Sequence, residues 1–314
     1  MQHTPANIPN TNRPIISLTD YAALIPESLR PRVNLEPASE VWTWQDHEVR
    51  ILRNSNEEAA TRVIVVHGAG GHSEALWPIA SLIPSEKFDI TAIDLPLYGN
   101  TTSQDPTSVR YNDWVTLLRD FLASENDDRA LILLGASIGG MLAYEVAATT
   151  DLVDRVVATC LIDPRDGLVR AAMTRFGMLG RVAAPLLRLL PKAVLRLQIP
   201  IGLVAPLSKM SANPELSDLC RKDPRGGGGR VPIGFLASLM SYRHAPPEQM
   251  KTPVTLAHPE NDTWTPLKLS RKWFDRIAAP KELIVLPGAS HFPIEEDGLR
   301  ELLAAVSRAG MDRY

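Results

Sequence analysis

From residue 61 onward the chain alternates short, continuously apolar runs with longer stretches whose apolar positions recur at helical spacing. Segments 61–66, 89–94, 130–134, 156–162, 254–257 and 282–286 are apolar and β-branched enough to be interior strands, which are buried on both faces and therefore do not alternate. Segments 75–83, 112–124, 139–149, 267–278 and 299–309 carry the helical period, the last opening near Asp297-Gly298 and closing before Gly310. Such alternation predicts an α/β fold with a mostly parallel central sheet flanked by helices. Ahead of it, Val41-Trp42-Thr43-Trp44 and Val49-Arg50-Ile51-Leu52 bracket the polar Gln45-Asp46-His47-Glu48 and predict a hairpin.

The alternation breaks between residues 165 and 248, where prolines, arginines and apolar helical pieces occur without strand signal. This divides the chain into an amino-terminal arm over 1–35, core over 36–164, an inserted helical cap over 165–248, and core again over 249–314. The arm is rich in Pro, Asn and Thr, has little periodicity, and is expected to lie loosely on the surface without carrying chemistry. Inside the cap, Arg225-Gly226-Gly227-Gly228-Gly229-Arg230 reads as a flexible link, since neither P-loop spacing nor a preceding strand accompanies the glycines. The cap also holds apolar clusters at Leu186-Leu187, Leu189-Leu190, Val194-Leu195 and 199–206, with Arg181, Arg188, Lys192 and Arg196 available to an outer face. A basic rim on an apolar helix suits a lipid-like substrate, but packing of the same apolar residues on the main domain, with the arginines on the surface, is the stronger account of the pattern.

Composition narrows the classes. With 314 residues, 45% hydrophobic and 22% charged, the chain can bury a large core. A net charge of -3 without a dense basic run argues against nucleic acid as a partner. The stretch 183–207 is interrupted by Arg188, Lys192, Arg196 and prolines, so no stable membrane insertion is expected. Two cysteines, Cys160 and Cys220, lie outside any CxxC or Cys/His cluster, which leaves no disulfide framework and no metal site; Cys160 is expected in a buried strand. Residues 1–13 are polar and proline-containing, and a cytoplasmic location is the expectation. Nothing in the pattern speaks to oligomeric state.

Gly135-Ala136-Ser137-Ile138-Gly139-Gly140 joins the strand 130–134 to the helix 139–149. A Gly-x-Ser-x-Gly turn there holds a serine in a strained conformation, with glycines where the chain doubles back. His67-Gly68-Ala69-Gly70-Gly71-His72-Ser73 follows another strand, at the carboxyl edge where open α/β sheets bind ligands. Its plausible task is to aim an amide at a developing oxyanion, with the Ala69 and Ile138 N–H groups as donors. His67 is expected to pin this turn by hydrogen bonding and His72 to be solvated. His291, in Pro287-Gly288-Ala289-Ser290-His291-Phe292-Pro293, follows the last strand and is the candidate base for Ser137. Asp262 is the preferred orienting acid, in Pro259-Glu260-Asn261-Asp262-Thr263-Trp264-Thr265-Pro266, with Glu260 and Asp163 as rivals. Gly70, Trp264 and Phe292 flank these groups and are candidate substrate contacts.

The chain order Ser137, Asp262, His291 and the four motifs together resemble the serine-type α/β-hydrolases over about residues 40–312. The turn 67–73 is similar to the oxyanion turn of the monoacylglycerol lipase and carboxylesterase group, which also carries a helical cap at this insertion point. The resemblance implies an α/β-hydrolase fold and hydrolysis of a small-molecule carboxylic ester, with an apolar acyl or alcohol part, through an acyl-serine and without cofactor or metal. Amide, lactone or carbon–carbon hydrolysis, cofactor-free perhydrolysis, and non-catalytic ligand binding share the same frame. Three positions depart from the family's habit: Asp94-Leu95-Pro96-Leu97-Tyr98-Gly99-Asn100 lacks the Gly-His-Gly turn, Pro259 replaces a glycine, and Ile138 follows the serine in place of Met or Gln.

Overall fold

The computed structural model describes residues 16–182, 187 and 190–311. Its strands are β1 (Ala38–Trp44), β2 (His47–Asn54), β3 (Thr61–Val66), β4 (Phe88–Ile93), β5 (Thr102–Ser103), β6 (Ala130–Gly135), β7 (Arg155–Ala158), β8 (Gln198–Pro200), β9 (Arg230–Pro232), β10 (Val254–Pro259) and β11 (Lys281–Leu286). One sheet runs β1-β2-β4-β3-β6-β7-β10-β11, with β5 paired to β2. From β4 to β11 every neighbouring pair is parallel, while β1 and β2 are antiparallel additions at one edge. This is the mostly parallel α/β sheet that the alternation predicts and the resemblance to the α/β-hydrolases implies, and the apolar runs at 61–66 and 130–134 occupy its middle. Every residue of β3 and β4 is buried, which is why these strands show no period of two.

The helices are α1 (Leu18–Ala22), α2 (Ser73–Ala80), α3 (Tyr111–Ser124), α4 (Ile138–Thr149), α5 (Gly167–Met173), α6 (Lys192–Leu195), α7 (Pro214–Lys222), α8 (Ile233–Leu239), α9 (Leu267–Phe274) and α10 (Glu296–Met311). Contacts with the sheet come from α2 on β2, β3 and β4, from α4 on β3, β6 and β7, and from α9 and α10 on the later strands. The hairpin turn is tighter than the polar tetrad suggests: Trp44 pairs with His47, and Gln45 takes φ +52°.

Four expectations change at the element level. The strand expected over 156–162 ends at Ala158: the Thr159 amide makes the last bond to β6, at the Gly135 carbonyl, and the Leu161 amide then turns away to Ser270 Oγ. Cys160 is buried but lies just past that strand. The helix expected over 267–278 stops at Phe274, and the Ala278 amide turns away to the Pro247 carbonyl. The final helix runs through Gly310 to Met311, since Gly310 packs against Phe88 and Ile132 where a Cβ would collide, so the glycine marks a close approach and not a stop.

Between β7 and β10 the chain forms α5 to α8, several single 3-10 turns and the small antiparallel β8–β9 ribbon, which the absence of strand signal concealed. Leu186, Arg188 and Leu189 lie outside the described residues. The four-glycine run is no slack link. Amides of Gly226 and Gly228 both bond the Asp223 carbonyl, and a Cβ on Gly226 would stand 2.7 Å from the Gly70 carbonyl oxygen. Of the first 35 residues, 16–35 are described and sink Ile16, Tyr21, Ile25 and Leu29 into the core, although sparse periodicity had suggested a loose surface segment.

Trp114 on α3 packs against α8 and the turn after β4. Fully buried, it donates its indole N–H to the Pro96 carbonyl at 3.0 Å and meets Phe235 of α8 at 4.8 Å between ring centroids and Tyr98 at 5.7 Å. Trp114→Ala is expected to destabilise the fold by about 3–5 kcal/mol through lost burial and the cavity left behind. Urea unfolding measures this, and an unchanged midpoint would show that the ring is not a packing anchor.

Candidate active site

The end of β6 and the start of α4 force a turn at Ser137, whose backbone sits at φ +53°, ψ -128°. That is a strained conformation for a residue with a Cβ, of order 1–3 kcal/mol. It persists because its surroundings leave no alternative. A Cβ on Gly135 would strike Gly139 and Gly140 backbone, and one on Gly139 would strike the carbonyls of Val66 and His67. The Ser137 amide donates to Thr159 Oγ1 at 2.9 Å and the Ala136 amide to the Val66 carbonyl at 2.9 Å, tying the turn to the ends of β7 and β3.

His291, in the loop between β11 and α10, places Nε2 3.0 Å from Ser137 Oγ and Nδ1 2.8 Å from Asp262 Oδ2. Asp262, after β10, accepts from the amides of Trp264 and Thr265 at 2.8 Å each and from the Thr265 hydroxyl at 2.9 Å. Burial alone would raise its carboxyl pKa, but the hydrogen bonds from His291 and Thr265 outweigh it and hold the group well below the usual carboxylate range. An ionised carboxylate only accepts, so the proton of the neutral imidazole resides on Nδ1 and Nε2 offers a lone pair to the serine hydroxyl. The arrangement is a hydroxyl, a base and an orienting acid in one hydrogen-bonded line, the geometry that activates a serine for attack. Glu260 and Asp163 are engaged elsewhere: Glu260 accepts the Gly288 amide at 2.8 Å, and Asp163 pairs with Arg165 at 2.9 Å.

The glycine turn after β3 lies against this serine. A Cβ on Gly68 would come within 2.9 Å of Ser137 Cβ and 3.2 Å of the Ile138 nitrogen, so only glycine permits the approach. Among the described residues neither the Ala69 nor the Ile138 amide donates to another backbone group. His67 pins the turn, its Nδ1–H donating to the Gly68 carbonyl at 2.8 Å and its Nε2 accepting the Leu95 amide at 2.9 Å. His72, expected in solvent, is 1% exposed. It caps α2 by accepting the Ala75 amide on Nδ1 and donates from Nε2 to Asp223 at 2.9 Å. No sequence spacing signals a partner 151 residues away.

Two narrow apolar lobes flank Ser137, with cavity volumes of about 40 and 60 Å³. Gly70, Leu76, Met210 and Phe292 line the first; Ile162, Met173, Ile201, Val204, Leu239 and Met240 line the second. Ala69 and Trp264 border both, and the Trp264 ring stands 4.8 Å from that of His291. A wider groove bounded by Asp128, Arg129, Asp154 and Arg155 opens at the amino ends of the strands, away from the edge where parallel sheets place chemistry. Sequence reasoning missed Thr159 and Thr265, which orient the serine and the acid, and the lobe residues from the segment between β7 and β10. The short Asp-x-x-Thr spacing of 262–265 is the one local signal that points to Thr265. Among the described residues no group of three or more His, Cys, Asp or Glu side chains converges as a metal site.

A family model described as the Alpha/beta hydrolase family matches residues 63–305, most of the chain, and the protein belongs to that family. A monoacylglycerol lipase of Paleococcus ferrophilus superposes with a TM-score of 0.67 at 22% identity, covering 83% of this chain and 99% of its own. A soluble variant of the monoglyceride lipase of Saccharomyces cerevisiae, solved with a substrate analog, gives 0.69 at 17% identity, covering 88% and 96%. At such identities the likeness is one of fold. A protein of Mycoplasma genitalium named "Putative esterase/lipase 2" is 29% identical over 101 residues, which span 32% of this chain and 37% of that protein's length.

His67 supplies a test of the neutral, pinned state of the turn. Burial strips the charged imidazole of its hydration and lowers its pKa to about 4, against the opposing pull of the Asp94 carboxylate. The unfolded chain takes up this proton near the ordinary value of about 6.5, so the stabilisation is fully present above that pH and is lost as pH falls toward 4. Between pH 7 and pH 4.5 the loss is expected to be about 2–3 kcal/mol from this residue. Urea unfolding of wild type and His67→Gln at both values checks it: the variant is expected to show a correspondingly smaller fall, and an identical fall would contradict a neutral buried His67.

Proposed function

We propose that this protein is a serine hydrolase of carboxylic esters with apolar acyl or alcohol groups, acting through an acyl-serine on Ser137. The observation that carries the reading is the line from Ser137 Oγ to His291 Nε2 at 3.0 Å and from His291 Nδ1 to Asp262 at 2.8 Å, placed between two apolar lobes. Membership of a hydrolase family supports it, as do relatives whose names include lipase and esterase.

In this mechanism Ser137 Oγ attacks the ester carbonyl carbon as His291 Nε2 removes the hydroxyl proton. The carbonyl oxygen takes the negative charge and is held by the Ala69 and Ile138 amides, each donor being worth about 3–4 kcal/mol where measured in other enzymes. Collapse breaks the bond to the alcohol, which leaves with the proton from His291. Water then attacks the acyl carbon, giving its proton to His291; Ser137 leaves, regains the proton, and the carboxylic acid departs. One lobe receives the acyl chain and the other the alcohol, with Gly70, Trp264 and Phe292 as walls. The segment 165–248 serves as the cap, contributing Met173, Ile201, Val204, Leu239 and Met240 to the second lobe.

The test is hydrolysis of a chain-length series of p-nitrophenyl esters. Ser137→Ala is expected to lower kcat by about 10⁶-fold. Asp262→Asn is expected to lower it by about 10⁴-fold, because an amide no longer selects the tautomer that leaves Nε2 free. Near-native turnover in Ser137→Ala would end the acyl-serine reading. Saturable ester binding with no turnover in the wild type would identify a ligand-binding protein, and turnover of amides or lactones in place of esters would move the substrate class.

A further inference from the structure

Ten large apolar side chains are exposed among the described residues, and six of them fall between Leu168 and Leu203. The same stretch departs from the rest of the chain in charge. Residues 165–209 contain eight Lys and Arg and the single acid Asp166, a formal +7 in a chain whose total is -3, which leaves -10 for the remainder. Greasy surface and positive charge are thus concentrated on one segment.

The structure gathers them. The Arg175 amide donates to the Val204 carbonyl at 2.7 Å and its guanidinium to the Gly202 carbonyl at 2.9 Å, which brings Leu203 (56% exposed) beside the turn carrying Phe176 (55%), Met178 (63%) and Leu179 (75%). Arg170 donates to the Arg181 carbonyl at 2.6 Å and closes that turn onto α5. These guanidinium bonds go to carbonyls, which satisfy donors without neutralising charge. Among the described residues Arg170, Arg175, Arg181 and Lys209 form no ion pair. From Leu168 a groove lined by Arg175, Lys209 and Lys268 runs to Trp264, the ring beside His291.

We infer that this face docks on a lipid bilayer bearing anionic headgroups. Phe176, Met178, Leu179 and Leu203 enter the boundary between headgroups and acyl chains, and the surrounding cations meet the headgroup phosphates. Exposed apolar side chains cost a protein solubility and are kept where a surface covers them. Their basic surroundings select an anionic surface, and the groove leads from that surface to the catalytic edge. The docking stands apart from the proposed ester hydrolysis, which supplies only its purpose.

Cosedimentation with vesicles of phosphatidylcholine alone, and of phosphatidylcholine with phosphatidylglycerol, tests it on the full chain. Wild type and Ser137→Ala are expected to partition at least about tenfold more strongly onto the anionic vesicles, with high salt weakening the binding. The double variant Phe176→Asp, Leu179→Asp is expected to lose at least about tenfold in partitioning while keeping its hydrolysis of a soluble short ester within about twofold. Equal binding to both vesicles, no effect of salt, or an unaffected double variant overturns the proposal. So does a wild-type dimer in analytical ultracentrifugation that the double variant converts to monomer, since a second copy then covers the face. Vesicle binding by a protein that turns over no ester would uphold the docking and reject the hydrolase reading. The wild-type salt dependence decides the matter even if the double variant fails to fold.

Discussion

The backbone of Ser137 is the constraint from which the rest of the site follows. A residue with a Cβ at φ +53° is unfavourable on its own, and it is held by the end of β3 with the turn that follows it and by the turn after β7. β3 ends in the Val66 carbonyl that accepts the Ala136 amide, and the turn after β7 supplies Thr159 to accept the Ser137 amide. Gly68, in the turn that follows β3, comes close enough that a methyl group would strike the serine itself. Strain at the serine is therefore offset by hydrogen bonds and packing across the sheet, and the hydroxyl is delivered to His291 as a consequence of how the strands end.

The glycine turn that faces the serine is itself held from behind by groups remote in sequence. Asp223 receives His72 at 2.9 Å, the Tyr21 hydroxyl at 3.0 Å and the Arg225 guanidinium at 3.3 Å. Burial would raise the pKa of this carboxyl, but the hydrogen bonds from His72 and Arg225 hold it well below its ordinary value. Arg225 extends the network to Glu74 at 2.7 Å and to the Ile16 carbonyl at 2.7 Å. One buried carboxylate thus fastens the segment before β1, the start of α2 and the segment between β7 and β10 to each other, directly behind Gly70. The site's rigidity belongs to three parts of the chain at once.

Much of this was legible before any coordinates. Interior strands such as 61–66 announce themselves because a strand covered on both faces must be apolar throughout, and the Ser137 turn announces itself because only glycines tolerate the doubling back. His291 and Asp262 were found by the rule that chemistry gathers at the carboxyl ends of parallel strands. Boundaries were less legible. The ladder ends after its bond to Gly135 because the Leu161 amide finds Ser270, and Gly310 continues a helix because Phe88 occupies the space a side chain would need.

Local pattern and chain order therefore determined the fold class, the strained Ser137 turn and the set of candidate groups, since each depends on neighbours a few residues away. Tertiary structure alone decided that Asp262 and not Glu260 faces His291, that His72 is buried against Asp223, and that Gly226 abuts Gly70. It also decided which apolar residues between β7 and β10 line a lobe beside Ser137 and which stand exposed around Leu179. These are pairings across tens to hundreds of residues, and a hydrogen bond or van der Waals contact of a few ångströms leaves no periodic trace in the sequence that encodes it.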